Sequence, residues 1–577
     1  MLNLARELQK NIQTALEAAI KAGKLPAVKE LPKVVVRPMQ EEGHGDYASP
    51  FAMQLTGLMK KKPLDIVEVV AAHMEKPEYV GKLEAAAPGF LNVWLSPGYL
   101  TSRLDDVVQA SDICDMGVGM GKSANLEFIS ANPTGPLTLG NARTVFSADT
   151  LANVLACAGY NVTREYYIND AGLQIRRLGE SVLRRALQAQ GEPHSAGAPR
   201  GKQVEFAEDL YQGQYIYEIA QEVAEALKEN EGKEFTVEDV ENPEVIAAVS
   251  KQALSKMLAA IKKTVKEDLK IDFNVWTSEA ALRESGAIED VLKKLKATKS
   301  TFEKDGALWL KAEATGEEKD KVLVKGSGEY AYIMPDIAYH QNKFDRKYDL
   351  IFSFFGADHQ GQVPVLSAAM NILGNDTNKL KFVISQWLAL SKDGKEFKPS
   401  KRRGEVYGPQ DLIAEIGYDA ARYFMVQHSL SSHMTLDLDL AKEKSERNPV
   451  YYVQYAYVRL QSILRRAKEE GVISELGHNF DLSSSPALTQ TAEVNLMKAM
   501  YMWPEVITSI AQEFTVHQLP YYAYHLAKAV HVFYNHVPVL VTEDETVKMG
   551  RLQLVLAARV VLSKVLDLLG ISKPEVM

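Results

Sequence analysis

Apolar and polar residues recur along this chain with two periods, and the switches between them outline its parts. The opening run, LARELQKNIQTALEAAIKAGK, is apolar at helical spacing, whereas in FLNVWL Phe90, Asn92 and Trp94 alternate with Leu91, Val93 and Leu95 as a strand requires. Between them lie a predicted strand at Lys33 to Arg37 and two helical patterns that meet at Pro63, so residues 1–105 predict a small α+β domain. A link containing Gly117, Gly119 and Gly121 leads to a predicted strand with Leu126, Phe128 and Ile129, then to a loop broken by Pro133, Gly135, Pro136 and Gly140. A helix over Thr144 to Ala158 and a strand over Val162 to Ile168 follow, and strand, helix, strand in that order implies a parallel βαβ unit. Residues from about 185 to 300 read as predominantly helical and charged. Leu350 to Phe355 then suits a buried parallel strand, ending at Gly356-Ala357-Asp358-His359, and from residue 446 onward long tyrosine-rich helices predict a bundle.

Length and composition narrow the setting. A chain of 577 residues is too long for one domain, and its hydrophobic fraction of 46% and charged fraction of 24% are those of a globular protein. Cys114 and Cys157 lie far apart without a Cys-x-x-Cys pair, which leaves neither a zinc ribbon nor a disulfide framework to read and favours a reducing compartment. The N-terminus lacks the apolar core of a signal peptide and no run approaches ~18 apolar residues, so the expected location is the cytoplasm, without membrane contact. A net charge of −9 opposes nucleic-acid binding at first sight, but basic clusters stand at Lys60 to Lys62, Arg176–Arg177, Arg184–Arg185, Lys401 to Arg403 and Arg465–Arg466. Each cluster alone reads as a solvated face.

Two loops carry the candidate chemistry. EFISANPTGPLTLGNAR delivers the chain from a strand to a helix N-terminus, where unpaired N–H groups and the helix dipole favour a phosphate and Gly140 lets one approach the backbone. Downstream, Lys398 and Lys401 in KPSKRR can bring two compact charges to a triphosphate. Taken bare, the first loop is as readily an ordinary strand-to-helix turn and the second a solvated basic loop.

Together, and in this order, the two loops resemble the paired signatures of class I aminoacyl-tRNA synthetases, within the longer form found in the arginyl family. Ser130, Asn132, Pro133, Thr134, Gly135, Pro136, Leu137 and Gly140 match the first signature, while Thr138 and Asn141 stand where the family has histidines. Lys398, Ser400 and Lys401 match the second, with Pro399 in place of methionine. Gly45-Asp46-Tyr47 with Ala87-Pro88-Gly89-Phe90-Leu91-Asn92 resembles the family's N-terminal tRNA-contacting domain, and Asn448-Pro449 with the terminal Pro574-Glu575-Val576-Met577 resembles its anticodon-binding bundle.

The resemblance implies a Rossmann-like catalytic domain over residues 120–445 with a helical insertion, a small N-terminal α+β domain, and a helical bundle over 446–577: a multidomain α/β plus all-α chain. It implies Thr138, Gly140, Asn141, Lys398, Ser400 and Lys401 as catalytic positions, and Gly135, Pro136 and His359 as ATP contacts. For arginine it implies Glu127 and Asn132 at the α-amino end, Tyr332 along the side chain, Asp336 on the guanidinium, and Asp358 as a further polar contact. Arginine's fixed charge and five donors call for such carboxylates, and Tyr332 and Asp336 share a face if their segment is helical. The implied substrates are arginine, ATP with Mg2+ and tRNA(Arg), with no protein-bound zinc and a monomeric chain. Two other readings stay open: a different nucleotidyl-transferring enzyme on the same fold, and a synthetase-like protein that binds tRNA or arginine without chemistry.

Overall fold

The βαβ order read from the sequence is built as a five-stranded, all-parallel sheet in a computed structural model that describes residues 3–39, 43–110, 113–114, 116–190, 206–232, 234–315, 319–397, 407–474 and 486–577. Its strands are β1 (Ser123–Glu127), β2 (Asn161–Ile168), β3 (Val275–Ser278), β4 (Leu350–Gly356) and β5 (Leu380–Ser385). They lie in the order β5-β4-β1-β2-β3. The order turns back at β1, whose two neighbours are β2 and β4, so the carboxyl ends of β1 and β4 flank the crevice where open α/β sheets bind ligands. Apolar β4 is buried along most of its length, as a central parallel strand must be.

Helix α1 (Leu139–Cys157) connects β1 to β2 and is buried almost all round, which its alanines permit. Between β2 and β3 stand α2 (Leu173–Gln190), α3 (Gln214–Glu231) and α4 (Pro243–Lys263), which share a core of Leu178, Val182, Ile216, Val223, Val249 and Met257 among others. The expected helical run of about 185–300 is interrupted among the described residues by one strand and resumes at Glu279–Glu284 and Ala287–Lys296. Val275–Ser278 joins the central sheet, and Thr301–Lys304 pairs with Ala307–Leu310 in a small antiparallel sheet. Both strands were too short for their alternation to stand out from the charged helices around them. After β3 come α5 (Glu279–Glu284) and, before β4, α6 (Ile333–Asp345).

These elements belong to one of two compact units, Gly119–Lys442; the other comprises Met1–Val118 with Glu443–Met577. In the second, the helix Leu4–Lys21 is capped by the Asn3 side chain and buries Leu4, Leu8, Ile12 and Leu16. A four-stranded antiparallel sheet follows in the order Arg37–Pro38, Tyr47–Ser49, Phe90–Leu95, Val80–Ala86. The predicted strand at Lys33 shrinks to its last residue and Pro38, which pair with Ala48 and Tyr47. Long helices at Pro449–Glu469, Gln518–His536 and Glu545–Leu569 supply the expected bundle. The α/β plus all-α architecture read from the sequence is thus the observed one.

No helix among the described residues is long and apolar enough to cross a membrane. The cysteines depart from expectation: Cys114 and Cys157 are both disulfide-bonded and neither is a free thiol. A reducing compartment does not favour disulfides, and the sequence around neither cysteine signals one.

Candidate active site

At the end of β1 the backbone makes a turn that few sequences would choose. Ile129 has φ +68° and Ser130 φ +40°, and the Ser130 N–H donates back to the Phe128 carbonyl at 3.0 Å. A β-branched residue in that region costs about 1–3 kcal/mol and persists only where its surroundings fix it. Here Ser130 Oγ donates to Glu127 Oε1 at 2.6 Å and accepts from the Tyr167 N–H at 3.1 Å. Glu127 is in turn held by Lys343 Nζ at 2.8 Å, and Lys343 also donates to Ser353 Oγ of β4 at 2.8 Å. The predicted strand ends before this turn, at Glu127, rather than running on through Phe128 and Ile129. Both apolar side chains are buried all the same, as the packing of an irregular segment can demand.

One face of α6, with the N-cap residue just before it, presents Tyr332, Asp336, Tyr339, His340 and Lys343. His340 is buried neutral: burial, then the Lys343 charge, lowers its pKa to about 3, and its ring bridges the Asp336 carbonyl and Ser353 Oγ. Asp336 has no salt bridge or side-chain hydrogen bond among the described residues. Burial first, then the carboxylates of Glu127 and Glu279, raises its pKa to about 8, with Lys343 pulling the other way. Glu279 follows β3 directly and is placed by a cap: Ser278 Oγ donates to Asp170 Oδ2 at 2.7 Å and the Ala280 N–H to Asp170 Oδ1 at 2.8 Å. Arg283 Nε and Nη2 reach Glu279 Oε1 at 2.8 and 2.6 Å. Two of these three carboxylates thus have a cation from the chain, and Asp336 has none. Tyr332 is 60% exposed, and its hydroxyl is pushed up to about 12 by burial, then by Asp336, Glu279 and Asp358. Asp358 lies exposed beyond β4 with its carboxylate 3.5 Å from His359 Nε2.

The phosphate-type loop ends in a capping box at the head of α1. Asn141 Oδ1 accepts from the Thr138 N–H at 2.8 Å and from Thr138 Oγ1 at 3.0 Å, leaving the Asn141 amide N–H groups as donors. A Cβ on Gly140 would meet only Thr138 Oγ1 at 3.7 Å, an ordinary contact, so nothing in the chain itself demands glycine there. Asn132, at the other end of the loop, is exposed and accepts from Asn169 Nδ2 at 3.3 Å. Gly135 and Pro136 form the partly exposed middle of the loop. Lys398, Ser400 and Lys401 lie outside the described residues.

At the head of α1 the Thr138, Leu139 and Asn141 N–H groups already have acceptors within the chain, which leaves the Asn141 side-chain amide as a donor for an anion, while Asp336 can accept from a cationic ligand. The sequence profile described as "tRNA synthetases class I (R), catalytic domain" matches residues 108–437. It is flanked by "Arginyl tRNA synthetase N terminal domain" over 6–95 and "DALR anticodon binding domain" over 453–577. The chain belongs to the arginyl-tRNA synthetase family. It is 38% identical to the arginine–tRNA ligase of Bacillus licheniformis over the full length of both chains, and 40% identical to that of Carboxydothermus hydrogenoformans over 97% of each. The fold matches the solved arginyl-tRNA synthetase of Thermus thermophilus over the whole of both chains with a TM-score of 0.75 at 21% identity.

In this arginyl-tRNA synthetase relative, Asp336 feels the charges of Glu127 and Glu279, and Tyr332 those of Asp336, Glu279 and Asp358. Sequence reasoning missed Glu279 and Lys343. The signal for Lys343 was available, seven residues from Asp336 and so on the same helical face. Glu279 was hidden in a stretch read as helical insertion, although the Ser278-Glu279 start is that of a capped helix.

Proposed function

We infer that the chain is an arginine–tRNA ligase working by two transfers. The arginine carboxylate attacks the α-phosphorus of ATP, the bond to the bridging oxygen breaks, and pyrophosphate leaves. A ribose hydroxyl of the terminal adenosine of tRNA(Arg) then attacks the aminoacyl carbonyl and AMP leaves. The observation that carries this reading is the Asp336 carboxylate, partly buried beside Glu127 and Glu279 and without a cation partner among the described residues. A guanidinium donates two parallel N–H bonds to such a group and removes the strain of leaving it there.

In this assignment Asp336 takes the guanidinium with Glu279 alongside, Tyr332 lies along the side chain, and Asp358 supplies a further polar contact. Glu127 and Asn132 receive the α-amino end. Thr138, Gly140 and Asn141 at the head of α1 face the ATP phosphates, with Gly135, Pro136 and His359 as further ATP contacts. Lys398, Ser400 and Lys401 neutralise charge as pyrophosphate departs. Magnesium enters as the counter-ion of ATP. Residues 1–105 and the 446–577 bundle serve as tRNA-contacting domains, and the protein acts as a cytoplasmic monomer.

Arginine-dependent ATP–pyrophosphate exchange, measured with and without tRNA(Arg), tests the reading. Exchange that requires arginine is the expected result. Its absence in both conditions, with tRNA still bound and a reference synthetase active in parallel, would favour the binding protein without chemistry.

A further inference from the structure

The helical segment between β2 and β3 held no evident chemistry in the sequence, yet one of its side chains reaches the phosphate-type loop. Tyr215, in the first turn of α3, donates its hydroxyl to the Thr134 carbonyl at 2.7 Å. Thr134 is buried and directly precedes Gly135, where a Cβ would stand 3.2 Å from Tyr215 Oη and 3.5 Å from Cζ. Gly213 lets the ring lie in this place, because a Cβ there would meet two ring carbons at 2.3 and 2.6 Å. The ring packs on the core shared by α2, α3 and α4, so its position is set by the segment and not by the loop. A second hydroxyl, that of Tyr166 on β2, donates to the Ala131 carbonyl at 3.0 Å. The loop is thus braced from two sides, by the sheet and by the helical segment.

We propose that Tyr215 is a positioning residue for the ATP step, holding the Thr134-Gly135-Pro136 backbone in place for the nucleotide. The inference rests on the reading of this loop as the ATP site. Dipoles that are fixed before the substrate arrives need no reorganisation during the reaction, and a loop freed on one side loses that advantage. Tyr215 contacts neither the acidic pocket nor α6 in any described interaction, so the effect falls on ATP and not on arginine. The bond also makes the helical segment and the loop one mechanical piece, so that displacement of α3 is felt at Gly135.

Arginine-dependent exchange with tRNA present, with ATP and arginine varied separately, tests this on Tyr215→Phe, Gly135→Ala and the double variant. Tyr215→Phe removes one oxygen and leaves the packing. It is expected to raise the KM for ATP about 3- to 10-fold while the arginine KM stays within 2-fold and the melting temperature is unchanged. Gly135→Ala is expected to cost more alone than in the Tyr215→Phe background, where the nearest ring carbon leaves an ordinary 3.5 Å contact. An unchanged ATP KM in Tyr215→Phe overturns the inference, as does a parallel rise of both KM values with a lower melting temperature. Wild-type protein without exchange would instead remove the ATP reading itself, and this inference with it.

Discussion

Asp336 concentrates the chemistry of the proposed arginine pocket into one proton. With its pKa raised to about 8 by burial and by its neighbouring carboxylates, it is mostly protonated near neutral pH until a cation arrives. Arginine binding therefore releases a proton, and the arginine KM is expected to fall by close to ~10-fold per pH unit below 8 and to level off above it. Asp336→Asn, measured in the same exchange assay, should flatten that profile and raise the arginine KM about 10- to 100-fold. A profile unchanged in the variant would show that another group controls binding. The sequence could propose carboxylates for a guanidinium because a fixed charge demands them, and helical spacing put Tyr332 and Asp336 on one face of α6, where the structure has them. What spacing could not convey is which carboxylate is left without a partner. Lys343 and Arg283 decide that: Lys343 reaches Glu127 only through the tertiary fold, whereas Arg283 reaches Glu279 one helical turn away on the same helix.

At the level of elements, the parallel βαβ unit was foreseeable, but the point where β1 ends and the conformation of the turn after it were not. Phe128 and Ile129 have strand-forming side chains, yet the bonds from Ser130 to Glu127 and from Tyr167 to Ser130 override that preference. The head of α1 shows the converse, a local motif that the sequence contained and that function obscures. Thr138 and Asn141 stand at signature positions, and they also satisfy each other as a capping box. A stability role and a donor role separate in Asn141→Asp. Aspartate accepts the same two bonds at the third helical position and complements the helix dipole, but it offers no N–H and places a negative charge toward phosphate. The expected outcome is a melting temperature at or above that of the wild type with an ATP KM at least about 10-fold higher. Equal ATP KM values would mean that the box is only a cap.

Across the whole molecule, ionisation also tunes the unit that lies outside the catalytic domain. Glu505 is buried, accepting from the Tyr47 hydroxyl at 2.5 Å and the Ala5 N–H at 3.0 Å, while its second oxygen has no partner. Burial raises its pKa from 4.5 to about 7, against the opposing pull of those two donors. The folded unit thus binds a proton that the unfolded chain releases, so stability from this group is full below about 4.5 and is lost as pH rises through 7. Denaturant midpoints of Glu505→Gln should lack that decline between pH 5 and 8, a difference of about 3 kcal/mol at most. An identical pH slope in wild type and variant would reject it.

Bonds of the same kind join the two separated stretches of this unit elsewhere: Trp503 Nε1 donates to the Ile113 carbonyl, Tyr501 Oη to that of Leu100, and the Leu488 N–H to Thr101 Oγ1. All of Gly119–Lys442 is made between those stretches. On the ribosome, the first 118 residues emerge without the helices that complete their core and wait on the order of half a minute for them. During that interval the catalytic unit has its whole sequence outside and can fold first. The amino-terminal segment is then among the last parts of the chain to reach its final state.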